Sequence, residues 1–517
     1  MDDLKLFASN QAEMKQIIDV VKSFSKCVKM EFGLEKCAEA TLANGKLVSI
    51  QKMSTENATE FDTIESYKYL GIDEADGVQQ DKMKIKVRKE YMRRLNMISR
   101  TELSAKNKII ALNQYAVPTI TYAMGIINWK ITEIKDTDRK TRKRLTTYKM
   151  HHPNACVERL YLPREKGGRG LQEIEAHYKA TFVGLNIHLT NSKDELLKQV
   201  KRQENKSSKV TVERKAKKYM SEYTDTKKEP SSKKNNSTAE EARHAKRMLK
   251  DNITQQKLEQ WTSKPLHGQF IRGLEDNNIR KQDTFLWLNE AHLKPETESL
   301  LVAAQDQAIS TNLIKASIHK TRSDKKCRLC EHPTESIQHI ISSCPVLAKT
   351  DYIKRHNKVA GHIHWKLCKT FEIETTEKWY EHQPQNVTEN PMVKLLWDTG
   401  VNTDRTINAN RPDIIFIQKK EKLCMMIDVS IPSDTNVKKK ETEKITKYKD
   451  LQIEISRMWN VKTRIVPIVI GALGTISTKF DKYLEQLTGE NENSALKVQL
   501  QKIALLGTSN IIRKVVE

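Results

Sequence analysis

Arg411-Pro412-Asp413-Ile414-Ile415-Phe416-Ile417-Gln418-Lys419-Lys420-Glu421-Lys422-Leu423-Cys424-Met425-Met426-Ile427-Asp428-Val429-Ser430 is the stretch on which the reading of this chain turns. Two apolar runs flank the charged turn Lys419–Lys422, which is the pattern of a two-stranded hairpin. Strands are expected at 412–418 and 423–431, with Asp413 opening the first and Asp428 near the end of the second. Such a hairpin brings both carboxylates to one end of a sheet. Hard oxygen ligands of this kind bind Mg²⁺ beside a scissile phosphate, where the ion polarises the phosphate and lowers the pKa of a bound water. A lysine is expected nearby to neutralise developing charge. Position 430, two residues beyond Asp428, is serine, so the lysine has to come from elsewhere. Lys444 and Lys447 lie three apart on a predicted helix and share a face; Lys447 is the first choice. The competing reading is a hairpin with exposed acids beside a solvated helix. A charged helix at 438–459 and a strand at 464–470 complete an α/β unit over 395–475.

A second constellation lies upstream. Cys327-Arg328-Leu329-Cys330 is followed by His339 and Cys344, a Cys-x2-Cys-x8-His-x4-Cys spacing. Two ligands two residues apart clamp one side of a tetrahedral ion, and the second pair, on a following turn or helix, closes the site. Three thiolates and an imidazole suit zinc. With all four positions filled by protein the expected site is structural, and its binding energy helps fold a small module. The alternative is ordinary buried cysteines; His332 is a weaker candidate ligand because it sits so close to Cys330. His356, His362 and His364 follow, either as phosphate contacts or on a solvated helix. Arg355, His356, Arg411 and Tyr448 are the candidate nucleic-acid-binding residues.

Composition narrows the partners. The 517 residues carry 90 Lys and Arg against 66 Asp and Glu, a formal net charge of +24. That excess favours a polyanionic partner and salt-dependent binding. The longest apolar stretch, Ala111 to Trp129, is interrupted by Asn113, Gln114, Pro118 and Asn128, and reads as buried helix rather than a membrane span. The N-terminus lacks the basic-then-apolar pattern of a secretory signal. Eight cysteines are too sparse for a disulfide scaffold and fit metal ligation in a reducing compartment.

Along the chain, Leu4–Ala8 is expected to continue a strand, residues 11–31 to form a helix, and Asn44-Gly45 to turn a hairpin. Tyr67–Ile72 reads as a further short strand or turn. Residues 80–200 are mostly helical and basic, with breaks at Pro118, at Pro163 and at Gly167-Gly168-Arg169-Gly170. Residues 201–245 read as a lysine-rich linker or exposed helical arm. Helical spacing returns over 254–320, and the polar stretch 375–392, with Pro384, is a plausible boundary.

Taken in order, these segments resemble the C-terminal portion of the polyprotein of a non-LTR retrotransposon of the class that carries a restriction-enzyme-like endonuclease. Met1-Asp2-Asp3 resembles the end of the reverse transcriptase motif that holds two catalytic aspartates. Gly33-Leu34-Glu35-Lys36-Cys37 and Tyr69-Leu70-Gly71 resemble later palm motifs. Asn113–Pro118 and Leu162–Leu171 resemble segments of its helical thumb. Cys327, Cys330, His339 and Cys344 match the zinc knuckle, Asp413 and Asp428 the endonuclease acids, and Lys447-Tyr448 a helical motif of that domain. The implied fold is multidomain, α/β and α: a truncated palm at 1–78, a helical thumb at 79–200 and a basic helical linker at 201–320. A zinc knuckle with its following helix at 321–370, a PD-(D/E)XK-like endonuclease at 385–490 and a C-terminal tail at 491–517 complete the chain. The resemblance implies nuclear target-primed reverse transcription: nicking of a DNA target, ribosomal RNA genes among them, then copying of element RNA from the freed 3′-hydroxyl. It implies structural Zn and catalytic Mg, with Asp2 and Asp3 in the polymerase and Asp413, Asp428, Lys444 and Lys447 in the nuclease. A homo-oligomer is compatible with this scheme and a membrane partner is not. Because the chain begins inside the palm, polymerisation by this polypeptide alone is not expected. The competing class is a nucleic-acid-binding remnant without catalysis; a host protein that reused the architecture is a third option.

Overall fold

The computed structural model describes residues 4–30, 37–52, 64–206, 211–223, 238–331, 334–489 and 494–516. Asp2 and Asp3, the segment Gly33–Lys36 and His332 lie outside the described residues. The described residues form a multidomain α/β and α chain with mixed sheets and helical bundles.

Near the start, the helix Gln11–Cys27 is capped by Asn10, whose Oδ1 accepts from the Glu13 N–H at 2.9 Å. Leu4–Ala8, expected as a strand, forms none. Ala38–Ala43 and Lys46–Lys52 pair antiparallel around Asn44-Gly45. Both turn residues have positive φ, 51° and 74°, the backbone that a two-residue hairpin needs and that Asn-Gly tolerates. Tyr67–Tyr69, Ile72–Ala75 and Gly77–Val78 form a three-stranded meander.

The helices Gln80–Arg100, Ile131–Thr147 and Ile174–Asn191 then close around Tyr91, Leu95, Leu112, Ile134, Leu145, Leu160 and Tyr178. The break expected at Pro118 is a π-turn over Leu112–Ala116, after which a short helix starts with the proline in its first turn. The expected linker is partly wrong. Val212–Ser221 buries Ala216 and Tyr219, and Thr238–Ser263 packs on Ile174–Asn191 through Ala245, Leu249 and Ile253. Their apolar positions recur at helical spacing among many lysines, so charge density hid a packed face.

Buried ion pairs weld this helical half to the segment that carries Glu298 and Asp306. Arg159 and Asp306 pair at 2.9 Å with neither side chain exposed, and the Arg159 guanidinium also covers the Trp261 ring at 4.6 Å. Arg164 and Arg169 both grip Glu298 of the buried helix Pro295–Gln305. Gly168 lets the loop fold this tightly: a Cβ there would lie 2.0 Å from the Leu162 carbonyl oxygen.

The C-terminal α/β unit comprises α1 (Ile353–Thr370), β1 (Val387–Glu389), β2 (Val393–Trp397), β3 (Ile414–Gln418), β4 (Leu423–Ser430), α2 (Val437–Lys447), α3 (Lys449–Trp459), β5 (Lys462–Val469) and α4 (Ser494–Val516). The sheet runs β5-β4-β3-β2-β1; β5 lies parallel to β4 and the other neighbours are antiparallel. A parallel pair requires a crossover, here supplied by α2 and α3. Side chains alternate across the strands. Ile414, Phe416, Met425, Ile427 and Val429 face a core shared with α1 and α4. Ile415, Cys424 and Met426 face Tyr448, Leu451 and Ile455. The expected C-terminal tail is instead α4, a 23-residue helix with buried residues facing two cores. Leu500 and Ile503 pack under the sheet, and Leu505, Ile511 and Ile512 pack beside Trp287 and the cysteine–histidine module.

Candidate active site and metal-ligand clusters

The hairpin register decides the geometry of the acids. The last ladder pair at this end is Ile414 with Ile427, so Asp413 falls opposite Asp428. Residues directly opposite across an antiparallel pair present their side chains on one face, here the face covered by Tyr448. Asp428 is 2 % exposed and held on both oxygens. The Tyr448 hydroxyl donates to Oδ1 at 2.6 Å, and the Lys444 ammonium lies 2.5 Å from Oδ2. That second contact is an ion pair without hydrogen-bond alignment, since Oδ2 has no hydrogen-bond partner. Asp413 accepts the Val429 N–H at 2.6 Å on Oδ2, and His356 Nε2 sits 2.9 Å from the same oxygen.

The charges are mutually adjusted. Burial works against a charged Asp413, but the His356 hydrogen bond and charge, the Val429 N–H and Lys444 outweigh it and lower its pKa below 3.8. Burial likewise disfavours imidazolium, yet Asp413, Asn357 and Asp428 together raise His356 above 6.5. Both partners therefore favour the charged pair. Burial first, and then the Asp428 charge, push the Tyr448 phenol far above its ordinary 10, so it stays a donor.

Several expected residues land in other roles. Lys444, not Lys447, contacts Asp428; Lys447 donates to the Tyr448 hydroxyl at 2.9 Å. The two lysines share a face, but the helix ends at Lys447, so that residue reaches around Tyr448 instead. Arg355 is corrected from a nucleic-acid contact to a buried strut, 3 % exposed. It donates to Thr508 Oγ1 and to the Ile341 and Ile431 carbonyls, and lies across Gly507 of α4, where a Cβ would come within 2.5 Å of it. Tyr448, also expected at the nucleic acid, is 1 % exposed and orients Asp428. His362 and His364, read as solvated or phosphate-facing, are buried. Arg411 remains exposed, in a two-pronged ion pair with Asp398 at 2.8 and 2.9 Å. His356, expected to touch nucleic acid, orients Asp413 instead.

Outside the acids, the exposed face of α2 carries Lys438, Lys439, Thr442, Glu443, Thr446 and Lys447 along an open depression of about 740 Å³. Asp434 anchors the turn before α2. It is half-buried, loss of solvation pushes its pKa up to about 6, and it accepts from the Leu473 N–H and from the Thr475 N–H and hydroxyl. A lone aspartate in a Ser-Asp-Thr-Asn turn carried no such signal in the sequence.

Among the described residues, two Cys/His clusters are capable of coordinating a metal ion. In the first, the ligand atoms of Cys327, Cys330, His339 and Cys344 lie within 4.8 Å of one another, as the spacing predicts. His339 sits on the helix Ile337–Ser342, whose N-cap Ser336 accepts from the His339 N–H. The loop before that helix is fixed by Glu335, which takes Arg328 side-chain and backbone donors and the Asn312 N–H. The second cluster, His364, Cys368 and His382, was not foreseen. Its signal was a histidine and a cysteine four apart, with a third ligand beyond a loop that the sequence does not close.

No protein-family model matches the chain, and no curated protein matches it.

Proposed function

We propose that the chain nicks DNA through a Mg²⁺-dependent, restriction-enzyme-like endonuclease centre at Asp413, Asp428 and Lys444, as part of a non-LTR retrotransposon protein acting in the nucleus. The observation that carries the reading is the convergence of two acids from adjacent strands with one lysine from the following helix. The donor set fits the ion: Asp428 Oδ2 is buried without a hydrogen bond and faces only a cation. Bound there, Mg²⁺ supplies Lewis-acid polarisation of a phosphate and a more acidic water. His356 and the Val429 N–H hold Asp413 in place, and Tyr448 holds Asp428. Lys444, released from its ion pair, is positioned to neutralise charge on the phosphate. Zinc at Cys327, Cys330, His339 and Cys344 has a structural role in this reading, since protein fills all four positions. Element RNA and a DNA target, including ribosomal DNA, are the proposed partners.

Supercoiled plasmid incubated with the full chain and Mg²⁺ tests the proposal. The wild type is expected to yield the nicked circle, and Asp428→Ala to leave the plasmid supercoiled. Equal nicking by both proteins rejects the assignment. A nucleic-acid-binding protein without catalysis is the second reading, favoured by the charge of +24; it expects salt-sensitive binding with plasmid topology unchanged.

A further inference from the structure

We infer that His364, Cys368 and His382 form a second metal centre, a zinc site of one thiolate and two imidazoles that pins the 371–386 loop to α1. His364 and Cys368 are one helical turn apart on α1, so both project from the same face. His382 comes after the short turn Trp379–Glu381 and returns to that face.

The distances suit an ion. Zinc bonds of about 2.0–2.1 Å to nitrogen and 2.3 Å to sulfur, at tetrahedral angles, separate two nitrogens by roughly 3.3 Å and a sulfur from a nitrogen by roughly 3.6 Å. Cys368 Sγ lies 3.6 Å from His364 Nδ1, and His382 Nε2 lies 2.8 Å from the same nitrogen. All three donors lie within 4.8 Å of one another, and loading opens the two imidazoles by about half an ångström. Cys368 and His364 are wholly buried, and His382 is half-buried at the loop.

The surroundings supply the outer shell of a metal site on one imidazole, that of His382, and lack it on the other. Metal-bound imidazoles characteristically use their second nitrogen for a fixed partner. His382 Nδ1 has one, the Thr375 hydroxyl at 2.8 Å, which leaves Nε2 facing the cluster. The His364 ring meets Trp397 edge-on at 5.8 Å, and its Nε2 is buried with no hydrogen-bond partner. A soft thiolate with two imidazoles selects a borderline ion such as zinc over Mg²⁺. Three protein ligands leave the fourth tetrahedral position to water or an added donor. The competing account is a proton shared between two histidines beside an inert thiol.

Metal content of the purified full chain separates the two. Two zinc equivalents per chain are expected for the wild type, falling to one in Cys368→Ser and one in His382→Ala, whose half-exposed loop position spares the core. Cys327→Ser combined with Cys330→Ser is expected to retain one equivalent, and the same pair combined with His382→Ala none. Cobalt loading of the protein lacking both Cys327 and Cys330 thiols is expected to give a single-thiolate charge-transfer band that Cys368→Ser removes. Unchanged zinc content in His382→Ala, or no cobalt–thiolate band at Cys368, overturns the inference. These readouts do not depend on nicking, so the centre stands or falls separately from the endonuclease.

Discussion

Replacing Lys444 by Met puts the largest local strain on the proposed centre. Lys444 is 17 % exposed and Asp428 2 %, so their 2.5 Å contact lies in a poorly screened setting. Removing one partner of a buried pair leaves an uncompensated charge and costs about 3–5 kcal/mol. Tyr448 still donates to Asp428 Oδ1, which favours the lower end, about 3 kcal/mol. For a folding unit of the size of residues 353–516 this lowers the melting midpoint by roughly 6–12 °C. The assay is thermal unfolding of the full chain, followed by fluorescence and by hydrogen exchange in β4, which isolates this unit from the helical half. Mg²⁺ is expected to recover part of the loss in Lys444→Met, because a bound cation replaces the missing one. Asp428→Asn combined with Lys444→Met is expected to be more stable than Lys444→Met alone, since the buried charge is gone. A Lys444→Met protein that melts with the wild type, or a double variant less stable than the single, refutes a charged Asp428 held by Lys444.

His356→Gln should destabilise most in mildly acidic solution. The raised His356 pKa contributes stability that is fully present below its unfolded value of 6.5 and is lost as pH rises through the folded one; the lowered Asp413 pKa contributes above 3.8 and is lost as pH falls through its folded value. The penalty should therefore peak between those values and shrink in alkali, which melting curves at about pH 5.5 and 8.5 would reveal by their difference. Tyr448→Phe is expected to keep the fold, lower stability by about 1–3 kcal/mol by leaving Asp428 Oδ1 unpaired, and slow nicking at unchanged DNA affinity, read by gel assay and filter binding. Arg159→Met should cost about 3–5 kcal/mol and loosen the helical half from the segment that carries Glu298 and Asp306, seen as new protease cleavage near residues 155–170, whereas Arg411→Ala should leave stability unchanged.

The hairpin of acids was legible because strand alternation fixes which residues share a face: once Ile414 pairs with Ile427, the fate of Asp413 and Asp428 is decided. The four-ligand cluster was legible because its spacing is local. Asn44-Gly45 announced its turn through backbone freedom alone. The features that escaped depend on contacts far apart in sequence. Lys444 and Lys447 are equivalent by periodicity; only the helix end at Tyr448 separates them. Arg355 reads as a surface cation until α4, over 130 residues later, covers it at Thr508. His364 and Cys368 needed a loop to return His382, and no local pattern encodes a loop closure. The reading of 491–517 as a tail failed because Lys497, Gln501, Thr508 and Ser509 are buried along with the apolar residues, which blurs the amphipathic stripe.

That helix has a consequence for how the protein is made. Residues 494–516 complete both the underside of the sheet and the packing beside the cysteine–histidine module. Neither hydrophobic layer can close while the ribosome still holds this segment in its tunnel. The acids, lysines and thiols arranged upstream must wait, partly uncovered, for it to emerge, and that interval is when the nascent polypeptide is most open to chaperones and to aggregation.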